Sequence, residues 1–138
     1  MNYNLGTTGY TGLFVINPDQ LIHQFPPKHE NVFGHHATLQ YNPDNFDSVQ
    51  PGKKSLLKII ARVFDGQGDA LMVETDRSEK EYPHITLSCA EGVRRAYSHG
   101  MLQKQAKENL ITYFKEPIEI EVVEGYFDGE KDVITNII

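Results

Sequence analysis

With 138 residues, 39% of them hydrophobic, and a formal net charge of −6, the chain has the size of one domain around one core, and it lacks the cationic surplus that grips long nucleic acid without regard to sequence. Its longest apolar runs, at 13–16 and 56–60, fall far short of the roughly 20 residues of a membrane helix, and the first eight residues lack the basic start and apolar stretch of a secretion signal, so a soluble, cytoplasmic protein spanning 1–138 as a single domain is expected. Cys89 is the sole cysteine, which excludes an internal disulfide or a thiolate metal cluster within one chain and leaves it as a small buried hydrophobe.

In chain order, Gly9 to Gly12 lead into Leu13-Phe14-Val15-Ile16, a β-branched and aromatic run that reads as the first strand. Asn17-Pro18 supplies a helix cap followed by proline at the first helical position. Leu21, Ile22 and Phe25 give that short helix an apolar face before Pro26-Pro27 stops it. Residues 28–34 form a loop that delivers the strand His36-Ala37-Thr38-Leu39-Gln40-Tyr41. Period-two alternation sets His36, Thr38 and Gln40 on one face and Ala37, Leu39 and Tyr41 on the other. Asn42-Pro43-Asp44-Asn45 ends the strand with turn residues.

Residues 55–64 fit both helical and strand spacing. Strand is preferred because Asp65-Gly66-Gln67-Gly68-Asp69 is a strong turn and 70–75 follows as a hairpin partner. One apolar face is then expected over Leu57, Ile59, Ala61 and Val63. The charged run 76–81 reads as a solvated loop, and Pro83 opens a second strand, His84-Ile85-Thr86-Leu87-Ser88-Cys89. It repeats the earlier pattern, with His84, Thr86 and Ser88 on one face and Ile85, Leu87 and Cys89 on the core side. Residues 90–100 lack a clean period and read as an ordered loop. Residues 101–114 carry the apolar stripe Leu102, Ala106, Leu110, Tyr113 and Phe114 and predict a helix that exits at Pro117. Residues 118–122 alternate as a strand with one wet face. Residues 126–131 turn the chain into a last strand over 132–138.

Two strands that each place an imidazole and a hydroxyl on one face are suited to phosphodiester chemistry. An imidazole with an ordinary pKa near 6.5 both accepts and donates a proton near neutrality. One histidine can take a proton from water or a ribose hydroxyl while the other protonates the departing oxygen, each transfer contributing about 10² to 10⁴ in rate. Thr38 and Thr86 can donate to the non-bridging oxygens as charge builds. A metal is not required. Adjacent His35 and His36 on a strand would face opposite sides and could not easily share an ion.

The pair His36-x-Thr38-Leu39 and His84-x-Thr86-Leu87 resembles the signature of the two-histidine (2H, LigT-like) phosphoesterases. Thr11-Gly12-Leu13-Phe14, Pro83 before the second motif, then Gly92-Val93 and Ser98 before a helix, look most similar to a branch associated with RNA repair and with phage phosphodiesterases that destroy cyclic oligonucleotide signals (an anti-defence role). The resemblance implies an α+β fold of two pseudo-symmetric lobes of antiparallel sheet around a central cleft, with helices on the outside. It implies a hydrolase acting on a cyclic phosphodiester, a 2′,3′-cyclic phosphate or a small cyclic or short oligonucleotide. His36, Thr38, His84 and Thr86 would be catalytic, with no metal or other cofactor. Tyr10, Arg94 and Ser98 are the substrate-binding candidates, and selectivity is expected around Tyr10 and the 92–99 loop. The motifs are 48 residues apart, from 36 to 84, short for such a family, so an extended lid or a substrate-specific insertion is expected to be missing.

The expected partner is a small nucleotide or oligonucleotide, with neither long duplex nor membrane. A non-catalytic nucleotide-sequestering module and a metal-dependent hydrolase are the alternatives. His23, His29 and His35 read as ordinary loop or surface histidines. His99 in the loop after the second motif draws more interest. Arg95 shares with Arg94 the reading of an arginine pair in a loop. Glu119, Glu121 and Glu124 read as a solvated strand face.

Overall fold

In order along the chain, the elements are β1 (Tyr10–Val15), α1 (Pro18–Gln24), β2 (Asn31–Val32), β3 (His36–Tyr41), β4 (Lys54–Phe64), β5 (Gly68–Glu74), β6 (His84–Cys89), α2 (Tyr97–Lys107), β7 (Tyr113–Phe127) and β8 (Val133–Ile134). This is a computed structural model that describes residues 9–41, 49–78, 80–127 and 133–135. The turn expected at 42–45, most of the turn expected at 126–131, part of the loop at 76–81 and the ends of the last strand lie outside the described residues. The fold is α+β, an antiparallel sheet with two helices among the described residues. Among the described residues no helix is long and apolar enough to cross a membrane.

The sheet runs β1-β3-β6-β5-β4-β7, and β7 pairs back with β1, so the six strands close into a barrel. Closure depends on the length of β7. Its 15 residues suffice to pair with β4 from Tyr113 to Val123 and with β1 from Val122 to Phe127. Closing the ring removes the exposed edges that an open sheet would leave. Leu13, Leu39, Leu57, Ile59, Leu71, Ile85, Leu87 and Val122 form the main core, joined by Leu21 and Phe25 of the α1 segment. Asn17 caps α1 as the sequence predicts, its Oδ1 accepting from the Gln20 N–H at 3.1 Å.

The single apolar face expected over 57–63 is divided. Ile59 pairs with Val73 but Ala61 with Met72, which leaves Ile60 as an extra residue on β4. Such a bulge reverses the alternation. Leu57 and Ile59 enter the main core, whereas Ala61 and Val63 join Ala70 and Met72 in a second cluster beneath Met101 and Leu102 of α2.

The helix predicted over 101–114 is shifted toward the N-terminus. It starts at Tyr97, inside the expected loop, and stops at Lys107. Asn109 adopts a left-handed φ of 55°. Its N–H donates to Ala106 O and that of Leu110 to Gln105 O, the bond pair that closes a helix at a left-handed residue. Tyr113 and Phe114 therefore begin β7. Pro117 sits where β7 is irregular against β4, between Ile118 opposite Ile59 and Tyr113 opposite Ala61. There its missing donor breaks no ladder bond.

Two buried carboxylates lie at opposite ends of β4. Asp69, fully buried, pairs with Arg62 through both oxygens at 3.0 Å and accepts from the Lys28 N–H and Ser88 Oγ. Glu124 pairs with Arg77 and accepts from the Gln50 N–H at 2.8 Å. The expected solvated face thus holds for Glu119 and Glu121 but not for Glu124, which is 2% exposed. It shares strand parity with Val122, on the inward face.

Candidate active site

Strands β3 and β6 meet at the pair Ala37↔Ile85. Among the described residues that pair stands alone, because on its far side Gly34 N–H already bonds Thr86 O. The adjoining pairs Gly12↔Thr38 and Phe14↔His36 on β1 show why small Gly12 borders the motif: a Cβ there would lie 3.1 Å from Ala37 O.

Each motif strand bulges at the leucine that follows its threonine. On β3, Gly12 pairs with Thr38 but Thr11 with Gln40, leaving Leu39 extra. On β6, Ala70 pairs with Thr86 but Asp69 with Ser88, leaving Leu87 extra. The polar face therefore ends at Thr38 and Thr86. Gln40 leaves it to pair with Thr11, whose Oγ1 accepts the Gln40 N–H at 3.0 Å. Ser88, expected beside Thr86, is buried instead, its Oγ bonded to Asp69 at 2.7 Å. Tyr41, expected in the core, is 53% exposed and borders the cleft.

The resulting cavity has a volume of about 720 Å³. His36, Thr38, His84 and Thr86 all line it, as do Tyr10 and Arg94. Around them stand Phe33, Tyr41, Lys80, Arg95, His35 and His99. No aspartate or glutamate is among its described lining residues. A protein of net charge −6 thus concentrates cations in one concavity, which favours an anionic ligand.

His84 Nδ1 lies 2.8 Å from Tyr82 O. A carbonyl only accepts, so Nδ1 carries a proton and Nε2 is the nitrogen left for chemistry. Burial lowers the His84 pKa, the Tyr82 bond opposes the fall, and Lys80 and His99 add to it. His36 is stacked on Tyr10 with ring centroids 4.5 Å apart and tilted against Phe14 at 5.4 Å. Burial, aided by His35, Arg95 and His84, brings its pKa down to about 3. His36 is therefore neutral at pH 7. Thr86 Oγ1 is bonded to Ser98 Oγ at 3.0 Å. Ser98 is fully buried at the start of α2, so it orients the threonine from behind and does not line the cavity.

Tyr10 is 8% exposed, with His36 and Phe127 against its ring. Burial raises its pKa, while Arg95 opposes by charge and hydrogen bond. The ring supports His36, and its hydroxyl points toward the cations. Residues the sequence undervalued are His35, His99, Lys80, Tyr41, Phe33 and Arg95. His29 conforms to its ordinary reading, bonded through Nε2 to Asp65 O at 2.8 Å. The buried Nδ1 of His99 has no hydrogen-bond partner among the described residues.

His35 corrects a premise of the sequence reading. Its ring lies beside that of His36, with centroids 5.3 Å apart and the two Nδ1 atoms 3.1 Å apart, so the neighbours do not face opposite sides. Gly34 N–H already bonds Thr86 O, yet Ala37 is the residue that pairs with Ile85. The chain therefore inserts two residues, His35 and His36, where the strands widen. Among the described residues no three His, Cys, Asp or Glu side chains are grouped to hold a metal ion. No known family model matches the chain, and no curated protein matches it in sequence.

Proposed function

We propose that the protein is a metal-independent phosphodiesterase of the two-histidine type, acting on a 2′,3′-cyclic phosphate or on a small cyclic or short oligonucleotide. The observation that carries this reading is the convergence of His36, Thr38, His84 and Thr86 on one cation-lined cavity. The matching bulges at Leu39 and Leu87, each at the leucine that follows the motif threonine, also support the expected pseudo-symmetry of two lobes. His36, neutral with a pKa near 3, is assigned as the base that deprotonates the attacking oxygen. His84, whose Nδ1–H bond to Tyr82 favours the charged ring, is assigned as the acid that protonates the departing oxygen from Nε2. Thr38 and Thr86 donate to the phosphoryl oxygens, and Lys80, Arg94 and Arg95 supply the positive field.

The test is incubation of the protein, with and without EDTA, with 2′,3′-cyclic mononucleotides, cyclic di- and trinucleotides and 2′-5′-linked oligonucleotides. Turnover insensitive to EDTA is expected, with His36→Ala and His84→Ala each losing at least about 10²-fold in kcat while still binding substrate. Activity unchanged in both variants would overturn the mechanism. Binding without turnover by the unaltered protein would identify a sequestering module, and loss with EDTA a metal-dependent hydrolase.

A further inference from the structure

We infer that His35 is a positioning residue that fixes the tautomer of His36 by accepting a hydrogen bond at Nδ1. The inference rests on the proposed assignment of His36 as base.

The two Nδ1 atoms are 3.1 Å apart. Two ring nitrogens at that distance bond only when one carries the proton and the other offers its lone pair. Among the described bonds this is the partner of His36 Nδ1. No carboxylate takes that place, since the described cavity lining contains none. If the proton sits on His36 Nδ1, the lone pair of Nε2 is directed at the substrate. In the opposite arrangement His36 presents an Nε2–H and cannot accept.

The position of His35 is built into the backbone. Its carbonyl accepts the Val15 N–H of β1 at 2.9 Å, and the preceding Gly34 N–H donates to Thr86 O of β6 at 2.9 Å. Gly34 has a φ of +77°, and a Cβ there would meet Ile22 Cδ1 at 2.8 Å. The His35 backbone is thus held between two strands, next to a left-handed position that favours glycine. In the reaction, Nε2 of His36 takes the proton of the attacking water or hydroxyl, the oxygen's electron pair forms the bond to phosphorus, the bond from phosphorus to the departing oxygen breaks as that oxygen takes a proton from His84 Nε2, and the Nδ1 proton stays in the bond to His35. Charge created on His36 is shared with a neighbouring imidazole, the role an orienting group plays for a catalytic base.

The experiment combines nitrogen-detected NMR of the imidazoles with kinetics. In the unaltered protein at pH 7, His36 is expected as the Nδ1–H tautomer. His35→Leu should abolish that preference and lower kcat by about 10- to 100-fold with little change in KM. His35→Asn, whose side-chain oxygen restores an acceptor, should recover both. The NMR readout requires no substrate, so a protein without phosphodiesterase activity would defeat the functional reading and still decide the tautomer. His36 found as the Nε2–H tautomer, or unchanged by His35→Leu, would overturn the inference. Loss of kcat in His35→Asn equal to that in His35→Leu, with both variants folded, would overturn it as well.

Discussion

At the scale of single residues, the two candidate catalytic histidines differ in what their surroundings do to a proton. His36 meets burial and three neighbouring cationic or ionisable groups, which leave it neutral down to a pH of about 3. His84 is also depressed by burial, but its bond to Tyr82 O resists the fall. In the free enzyme the base is competent above about pH 3, and the acid is charged below a pKa that lies under its ordinary 6.5. The pH profile of kcat/KM should therefore be a bell on the acid side of neutrality, displaced from the bracket around pH 7 that unperturbed histidines predict. A bound phosphodiester adds a negative charge beside both rings and favours their charged forms, so the limbs of kcat should move to higher pH. Initial rates from pH 3 to 9 check this, and an alkaline limb of kcat/KM well above pH 7 would place the proton donor elsewhere. The same depression has a consequence for folding. The unfolded chain protonates this histidine more readily, so its contribution to stability is present above about pH 6.5 and is lost as pH falls toward 3. The two His-x-Thr pairs were legible because a strand repeats every two residues. Lys80 and His35 were not, since nothing local places their loops beside the two strands around one cavity.

At the scale of elements, most differences between expectation and structure trace to one-residue irregularities. Period two extends correctly through His36-Ala37-Thr38 and His84-Ile85-Thr86, then reverses at Leu39 and Leu87. A bulge is a property of the pair of strands and leaves no mark in either sequence alone. Glu124 is different, because its parity with Val122, opposite to that of Glu119 and Glu121, stands in the sequence and contradicts the solvated face expected for it. The end of α2 was also readable at Asn109, one of the few residue types that tolerate a left-handed backbone. Asn109→Gly should leave stability unchanged or raise it slightly, whereas Asn109→Val should cost about 1–2 kcal/mol in urea unfolding. Equal stability of the two variants would show that the left-handed residue does not end the helix.

At the scale of the whole molecule, the barrel buries an ion pair near each end of β4, and these pairs are less forgiving than apolar packing. Asp69 accepts bonds from Arg62, Lys28 N–H and Ser88 Oγ with no exposure to water. Arg62→Met removes the charged partner and leaves a buried carboxylate, which should destabilise the fold by about 3–5 kcal/mol. Replacing both partners by apolar residues should recover part of that loss. Denaturant midpoints of the single and double variants decide the matter, and an Arg62→Met protein as stable as the parent would show that Asp69 finds its compensation elsewhere.

The closed ring also has an uneven circumference. Strands β4 and β5 share six register pairs, whereas β3 and β6 share the one pair Ala37↔Ile85. That narrow rung lies between the two histidines. Local opening starts where a structure has the fewest bonds to break, so the Ala37–Ile85 rung, backed on β6 by the Gly34 N–H bond to Thr86 O, is where the barrel is expected to open first. A phosphate held by both rings would act as a clasp across the gap. Hydrogen exchange should report it, with Ala37 and Ile85 amides exchanging faster than those at the centre of β5 in the free protein and slowing selectively once a non-hydrolysable nucleotide is bound.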